Sequence, residues 1–142
     1  MKVAILGCGS LGGVMAAGLS EQPDIDLTVI DRDPHIGQAI NTRGLSLRQG
    51  NRAQRHRVRL VEKVGGESFD ALILATRANS LVEAAKSLKG NLAPGACVIT
   101  VQNGLVALDL LDVVGAERLV PGCVLWGASM AVSYTHLRAH ET

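Results

Sequence analysis

At 142 residues the chain has the length of one ordinary domain with a single hydrophobic core. It is 47% apolar and 19% charged with a net charge of +1, a globular balance and not that of a chain built mainly to hold nucleic acid. Phe69, Trp126 and Tyr134 are the only aromatics, too few for stacking on bases, and three cysteines without paired spacing exclude a disulfide framework or a zinc ribbon.

No apolar run approaches the roughly 20 residues of a membrane span, and no basic-then-apolar leader precedes the first strand. A reducing, cytoplasmic setting is expected. The length leaves no room for a second domain. The pattern sets no oligomeric state.

Lys2 to Leu6 is a short apolar run that suits a strand buried on both faces. A glycine-rich turn, Gly7 to Gly13, leads into a helix over Val14 to Leu19, and Pro23 closes that region. Asp26 to Asp31 is a second strand, rich in β-branched residues and ending on an acid. Asp33 before Pro34 predicts a capped helix running to Arg43, with Gly44 as its stop. Leu45-Ser46-Leu47 and Val58 to Val61 alternate in polarity around Gln49-Gly50-Asn51, which predicts a half-exposed hairpin or a pair of edge strands.

Asp70 to Ala75 is another buried strand, followed by a helix with Leu81, Val82, Ala85 and Leu88 on one face. Pro94-Gly95 turns into a strand over Cys97 to Val101. Leu105 to Val114 has helical character, and Arg118 to Val120 with Cys123 to Leu125 supplies the last strand material. Strands alternating with helices at this spacing predict an α/β, Rossmann-type, mostly parallel sheet with helices on both faces. From about Val132 onward the periodicity stops. Ser133 to Thr142 resembles translated sequencing-adapter read-through, so residues 1–131 are taken as the domain and 132–142 as a non-native tail. His136 and His140, four apart, could face one metal only on a helix, and no metal site is expected.

Gly7-Cys8-Gly9-Ser10-Leu11-Gly12 fits G-x-G-x-x-G between a strand and a helix, in a unit of about 30 residues that ends on an acid. Gly7 suits the tight turn, Gly9 the approach of a pyrophosphate, and Gly12 the close packing of helix on strand. Phosphates would then meet the helix N-terminus. Asp31, 19 residues after Gly12, suits a ribose hydroxyl and therefore NADH. Arg32 suits a 2′-phosphate and therefore NADPH. An acid beside that phosphate costs about 1–4 kcal/mol at 4 Å, comparable to what Arg32 returns, so the two cofactors stay balanced on these residues.

Thr76-Arg77 and Gln102-Asn103-Gly104 each follow a strand, where ligands collect in open α/β sheets. Asn103 could place an amide over the nicotinamide or a substrate carbonyl; an ordinary helix-entry turn would use the same residues. Between Arg43 and Lys63, seven basic residues face only Glu62, which reads as a solvated hairpin face rather than a nucleic-acid patch. Cys8 has no adjacent base and reads as a small loop residue, Cys97 and Cys123 as core, and His35 as exposed.

Taken in order, Gly7 to Gly12, Arg32, Ile40 to Leu45, Ala75 to Ala78, Gln102-Asn103-Gly104 and Gly122 to Met130 resemble the N-terminal domain of the ketopantoate reductases, the 2-dehydropantoate 2-reductase family. The resemblance implies NADPH-dependent reduction of a 2-oxo acid, 2-dehydropantoate to pantoate, on the route to pantothenate. It gives Arg77 the place of a basic residue, usually lysine, that contacts cofactor and substrate. Asn103 takes the place of the family's asparagine. The general acid, a lysine supported by a carboxylate, would lie in a helical C-terminal domain missing here, leaving this fragment inactive alone. Two other readings are a related dehydrogenase acting on another hydroxy acid or an opine, and a non-catalytic nucleotide-sensing module.

Overall fold

The computed structural model describes residues 1–102, 105–131 and 136–140. Six strands form a parallel sheet: β1 (Lys2–Leu6), β2 (Asp26–Ile30), β5 (Arg59–Val61), β6 (Phe69–Leu74), β7 (Leu92–Thr100) and β8 (Leu119–Pro121), in the order β5-β2-β1-β6-β7-β8. β1 pairs with β2 on one side and β6 on the other, so the strand order reverses beside β1. Chains that leave adjacent strand ends in opposite directions open a crevice there, at the carboxyl edge of the sheet.

Helices cover both faces. α1 (Ser10–Ser20) and α2 (Pro34–Arg43) pack on one face, where Ala16, Ala17, Ile36 and Ile40 meet Val3, Ile5, Val29 and Ile73. α3 (Leu81–Leu88) and the short α4 (Leu111–Val114) pack on the other, with Leu81, Ala85, Leu88, Leu110 and Val114 against Ala4, Leu72, Leu74 and Val98. α2 starts where its cap predicts: the Asp33 carboxylate accepts the His35 N–H at 2.8 Å. It stops at Gly44, whose N–H donates to the Ile40 carbonyl at 2.8 Å.

A second sheet adds to this plan, in the order β4-β3-β10-β9. β3 (Leu45–Gln49) and β4 (Arg52–His56) form an antiparallel hairpin around Gly50-Asn51. The hairpin expected around that turn therefore exists, but its second arm is Arg52–His56. The segment at 58–61 instead gives β5, the edge strand of the main sheet, where alternation reflects one-sided burial at an edge. β9 (Gly127–Ala131) pairs antiparallel with β10 (His136–His140), which also runs parallel to β3. Residues 136–140, set apart as a tail on sequence grounds, thus lie between β3 and β9. α1 touches β3, β9 and β10 as well as β1 and β2, so it sits between the two sheets.

Three other expectations shift. Pro94-Gly95 does not precede β7 but lies within it, as a bulge where the register to β6 slips between Phe69 and Ala71. The helical stretch at 105–114 is a 3-10 turn over Leu105–Leu110 that becomes α-helical only in α4. Cys123 to Leu125 forms no strand, and β9 begins at Gly127.

Candidate functional site

β1 ends at Leu6 and the chain turns directly through Gly7 into α1. Gly7 has φ of +100°, and a Cβ there would lie 3.0 Å from the Ala75 carbonyl oxygen. Its N–H donates to the Ile30 carbonyl at 2.9 Å, while the Ala75 N–H donates to the Leu6 carbonyl at 2.8 Å. These bonds fasten the loop between the ends of β2 and β6. A Cβ on Gly12 would stand 1.9 Å from the Gly7 carbonyl oxygen, so only hydrogen fits where α1 crosses the loop.

Gly9 is different. A Cβ there would meet nothing within 4 Å, so this glycine borders open space and not another part of the protein. Gly9 is the N-cap of α1, no side chain caps the helix, and its first turn holds no acid. The N–H groups around Ser10, Leu11 and Gly12 therefore lack a capping side chain at the positive end of the helix dipole. An anionic pyrophosphate matches both the open space and the donors.

Cys8 lies beneath the loop, with 1% of its surface exposed. Burial, then the neighbouring Asp31 charge, pushes its thiol up to about 12. It is a small buried residue and not a nucleophile, as the missing base implies. Of the other two, Cys97 is half-buried and Cys123 is exposed. The expectation that both are core holds only in part, because the segment around Cys123 is not a strand.

Asp31 and Arg32 follow β2 directly. One Asp31 carboxylate oxygen accepts the Cys8 N–H at 2.7 Å, and the other accepts the Asp33 N–H at 2.9 Å. Arg32 is exposed beside it. A cavity of about 640 Å³ opens at this edge of the sheet, with Gly7, Asp31, Arg32, Lys63, Thr76 and Asn79 on its walls. Thr76 brings a buried hydroxyl with no hydrogen-bond partner, a polar group that a ligand would satisfy.

Arg77 follows Thr76 and is exposed at the start of the 3-10 turn Ala78–Ser80, off the cavity wall. Asn103 lies outside the described residues. Its neighbour Gln102 is more informative than the sequence implies: its amide donates to the Leu74 carbonyl at 2.8 Å and to the Thr76 carbonyl at 2.7 Å. Gln102 thereby ties the end of β7 to the end of β6 and sets the backbone that carries Thr76.

Lys63 went unrecognised as a site residue because β5 was read as a hairpin arm. The signal was available: a run of apolar residues ending at Val61, then two charged residues at a strand end. The basic run itself is exposed at Arg43, Arg48, Arg52, Arg55, Arg57 and Arg59. Arg59 belongs to β5, where it pairs with Glu67 at 2.7 Å and holds that carboxyl below its ordinary range.

With this geometry in view, residues 3–140 match the profile of the family described as "Ketopantoate reductase PanE/ApbA". A 2-dehydropantoate 2-reductase from Pyrococcus abyssi (strain GE5 / Orsay) is 31% identical over 137 residues, covering 89% of this chain and 44% of that protein. One from Mesorhizobium japonicum is 33% identical over 108 residues, covering 74% of this chain and 32% of that protein. The chain thus spans less than half the length of either relative. Among solved structures, the ternary structure of D-mandelate dehydrogenase with NADH and anilino(oxo)acetate superposes with a TM-score of 0.86 at 21% identity, over 100% of this chain and 46% of that one. At that identity the likeness concerns the fold.

Proposed function

Because this chain belongs to the ketopantoate reductase family, we propose that it is the cofactor-binding half, residues 1–131, of an enzyme that reduces 2-dehydropantoate to pantoate with NADPH. The observation that carries this reading is the open space at Gly9 beside the uncapped start of α1, at one edge with Arg32 and the unpartnered Thr76 hydroxyl. The parent enzyme would work in the cytoplasm, on the route to pantothenate.

When bound, NADPH supplies a hydride to the carbonyl carbon of the 2-oxo acid. The carbonyl oxygen gains charge as that bond forms, and a proton must reach it to give the alcohol. Residues of this chain bind and orient. The first turn of α1 takes the pyrophosphate, Arg32 takes the 2′-phosphate, and Thr76 offers its hydroxyl at the end of β6. Arg77 and Asn103 position the substrate and nicotinamide. The proton donor belongs to the helical half found in longer family members, so this chain alone is inactive.

Titration of the 142-residue chain with NADPH and NADH, read by nicotinamide fluorescence, tests the reading. Tighter binding of NADPH is expected, with the preference lost in Arg32→Ala. A chain that binds neither dinucleotide refutes the reading. NADH bound more tightly refutes the part assigned to Arg32. Specific observations favour no second function.

A further inference from the structure

The acid at the end of β2 has a second interpretation, and it rests on the dinucleotide reading above. A carboxylate that reads a ribose must present an oxygen to the ligand. Here both Asp31 oxygens already accept protein N–H groups, from Cys8 at 2.7 Å and Asp33 at 2.9 Å. These partners lie on two different segments. Cys8 belongs to the glycine loop, and Asp33 caps α2 through the His35 N–H. The Asp31 N–H donates in turn to the Val61 carbonyl at 3.0 Å, which anchors the residue to β5.

We propose that Asp31 is a positioning residue that braces the glycine loop against the start of α2, and that it does not select the ribose. A loop that contains Gly7 and Gly9 has unusually wide backbone freedom, which must be lost before a pyrophosphate can be gripped. The Cys8 N–H sits between those two glycines, so a charge-assisted bond there removes freedom where it is greatest. The loop is then set before the ligand arrives. The acid next to Arg32 no longer argues for NADH, because its lone pairs serve the protein.

Three forms of the 142-residue chain test this: wild type, Asp31→Ala and Asp31→Asn, the last retaining one acceptor oxygen in the same shape. Asp31→Ala is expected to weaken NADPH and NADH together by about tenfold, with their ratio held within about threefold. Asp31→Asn should fall between it and wild type for both cofactors, a graded rescue at temperatures where all three forms are folded. NADH weakened alone, with NADPH unchanged or tighter, would make Asp31 a ribose acceptor and overturn the proposal. Amide exchange of the ligand-free protein supplies an arm independent of the cofactor. The Cys8 N–H should exchange at least about tenfold faster in Asp31→Ala; equal rates overturn the brace. Absence of dinucleotide binding in wild type would defeat the functional reading, while the exchange arm would still decide the brace.

Discussion

A methyl group placed on Gly12 has nowhere to go. It would stand 1.9 Å from the Gly7 carbonyl oxygen and 3.2 Å from the Ala75 Cβ, so α1 must withdraw by more than about 1 Å. The atom in the way is backbone, which cannot swing aside like the end of a long side chain. Overpacking of this kind costs about 3 kcal/mol or more. At this chain length that lowers the melting temperature by ~10 °C. Gly9 gives the contrasting case, since its Cβ would point into open space. Gly9→Ala loses only helix-cap preference, about 0.5–1 kcal/mol, and should melt within ~4 °C of wild type. The added methyl would nevertheless occupy the pyrophosphate path and weaken NADPH about tenfold or more, equivalent to ~1.4 kcal/mol. Thermal melts followed by circular dichroism, with NADPH titration of each folded variant, separate the two effects. Gly12→Ala melting like wild type would refute the packing argument. Gly9→Ala binding NADPH as tightly as wild type would refute the assignment of the pyrophosphate to this loop.

Gln102→Ala removes both donors to the Leu74 and Thr76 carbonyls, and is expected to cost about 1–3 kcal/mol in denaturant melts and to weaken NADPH through the displaced Thr76. An unchanged melt and unchanged affinity would refute the clamp. With its thiol pushed up to about 12, Cys8 is only about one part in ten thousand ionised at pH 8. Iodoacetamide with peptide mass spectrometry should therefore label exposed Cys123 well before Cys8. The same raised value has a consequence for stability: above the ordinary value of 9.0 the unfolded chain releases the Cys8 proton while the folded chain retains it, so this contribution declines as pH climbs toward 12. Deleting residues 132–142 should leave NADPH binding within about twofold, because the candidate site is built upstream; abolished binding would make the segment part of the functional fold.

The parallel sheet was legible because its strands are apolar runs bounded by glycine or acids, and because Asp33-Pro34 and Gly44 mark both ends of α2. The glycine motif was legible through its strand-and-helix context. Other features depend on partners far away in the chain. Nothing local to residues 59–61 tells that they pair with β2 and not with Leu45–Gln49, since either pairing suits an alternating segment. Likewise, the use of the Asp31 carboxylate depends on a backbone N–H from residue 8, and the Gln102 amide spans to two carbonyls on another strand. Residue type shows that such groups can bond; only the fold shows to what.

The position of α1 between two sheets bears on how the crevice works. Its face of Gly12, Gly13, Ala16 and Ala17 is buried, while the second sheet closes over it from outside. Tilting or sliding this helix would require separating both layers at once. The donors at its start are thus part of a stationary floor, and any opening or closing around a dinucleotide has to come from the rim, where Lys63 and Arg77 stand exposed.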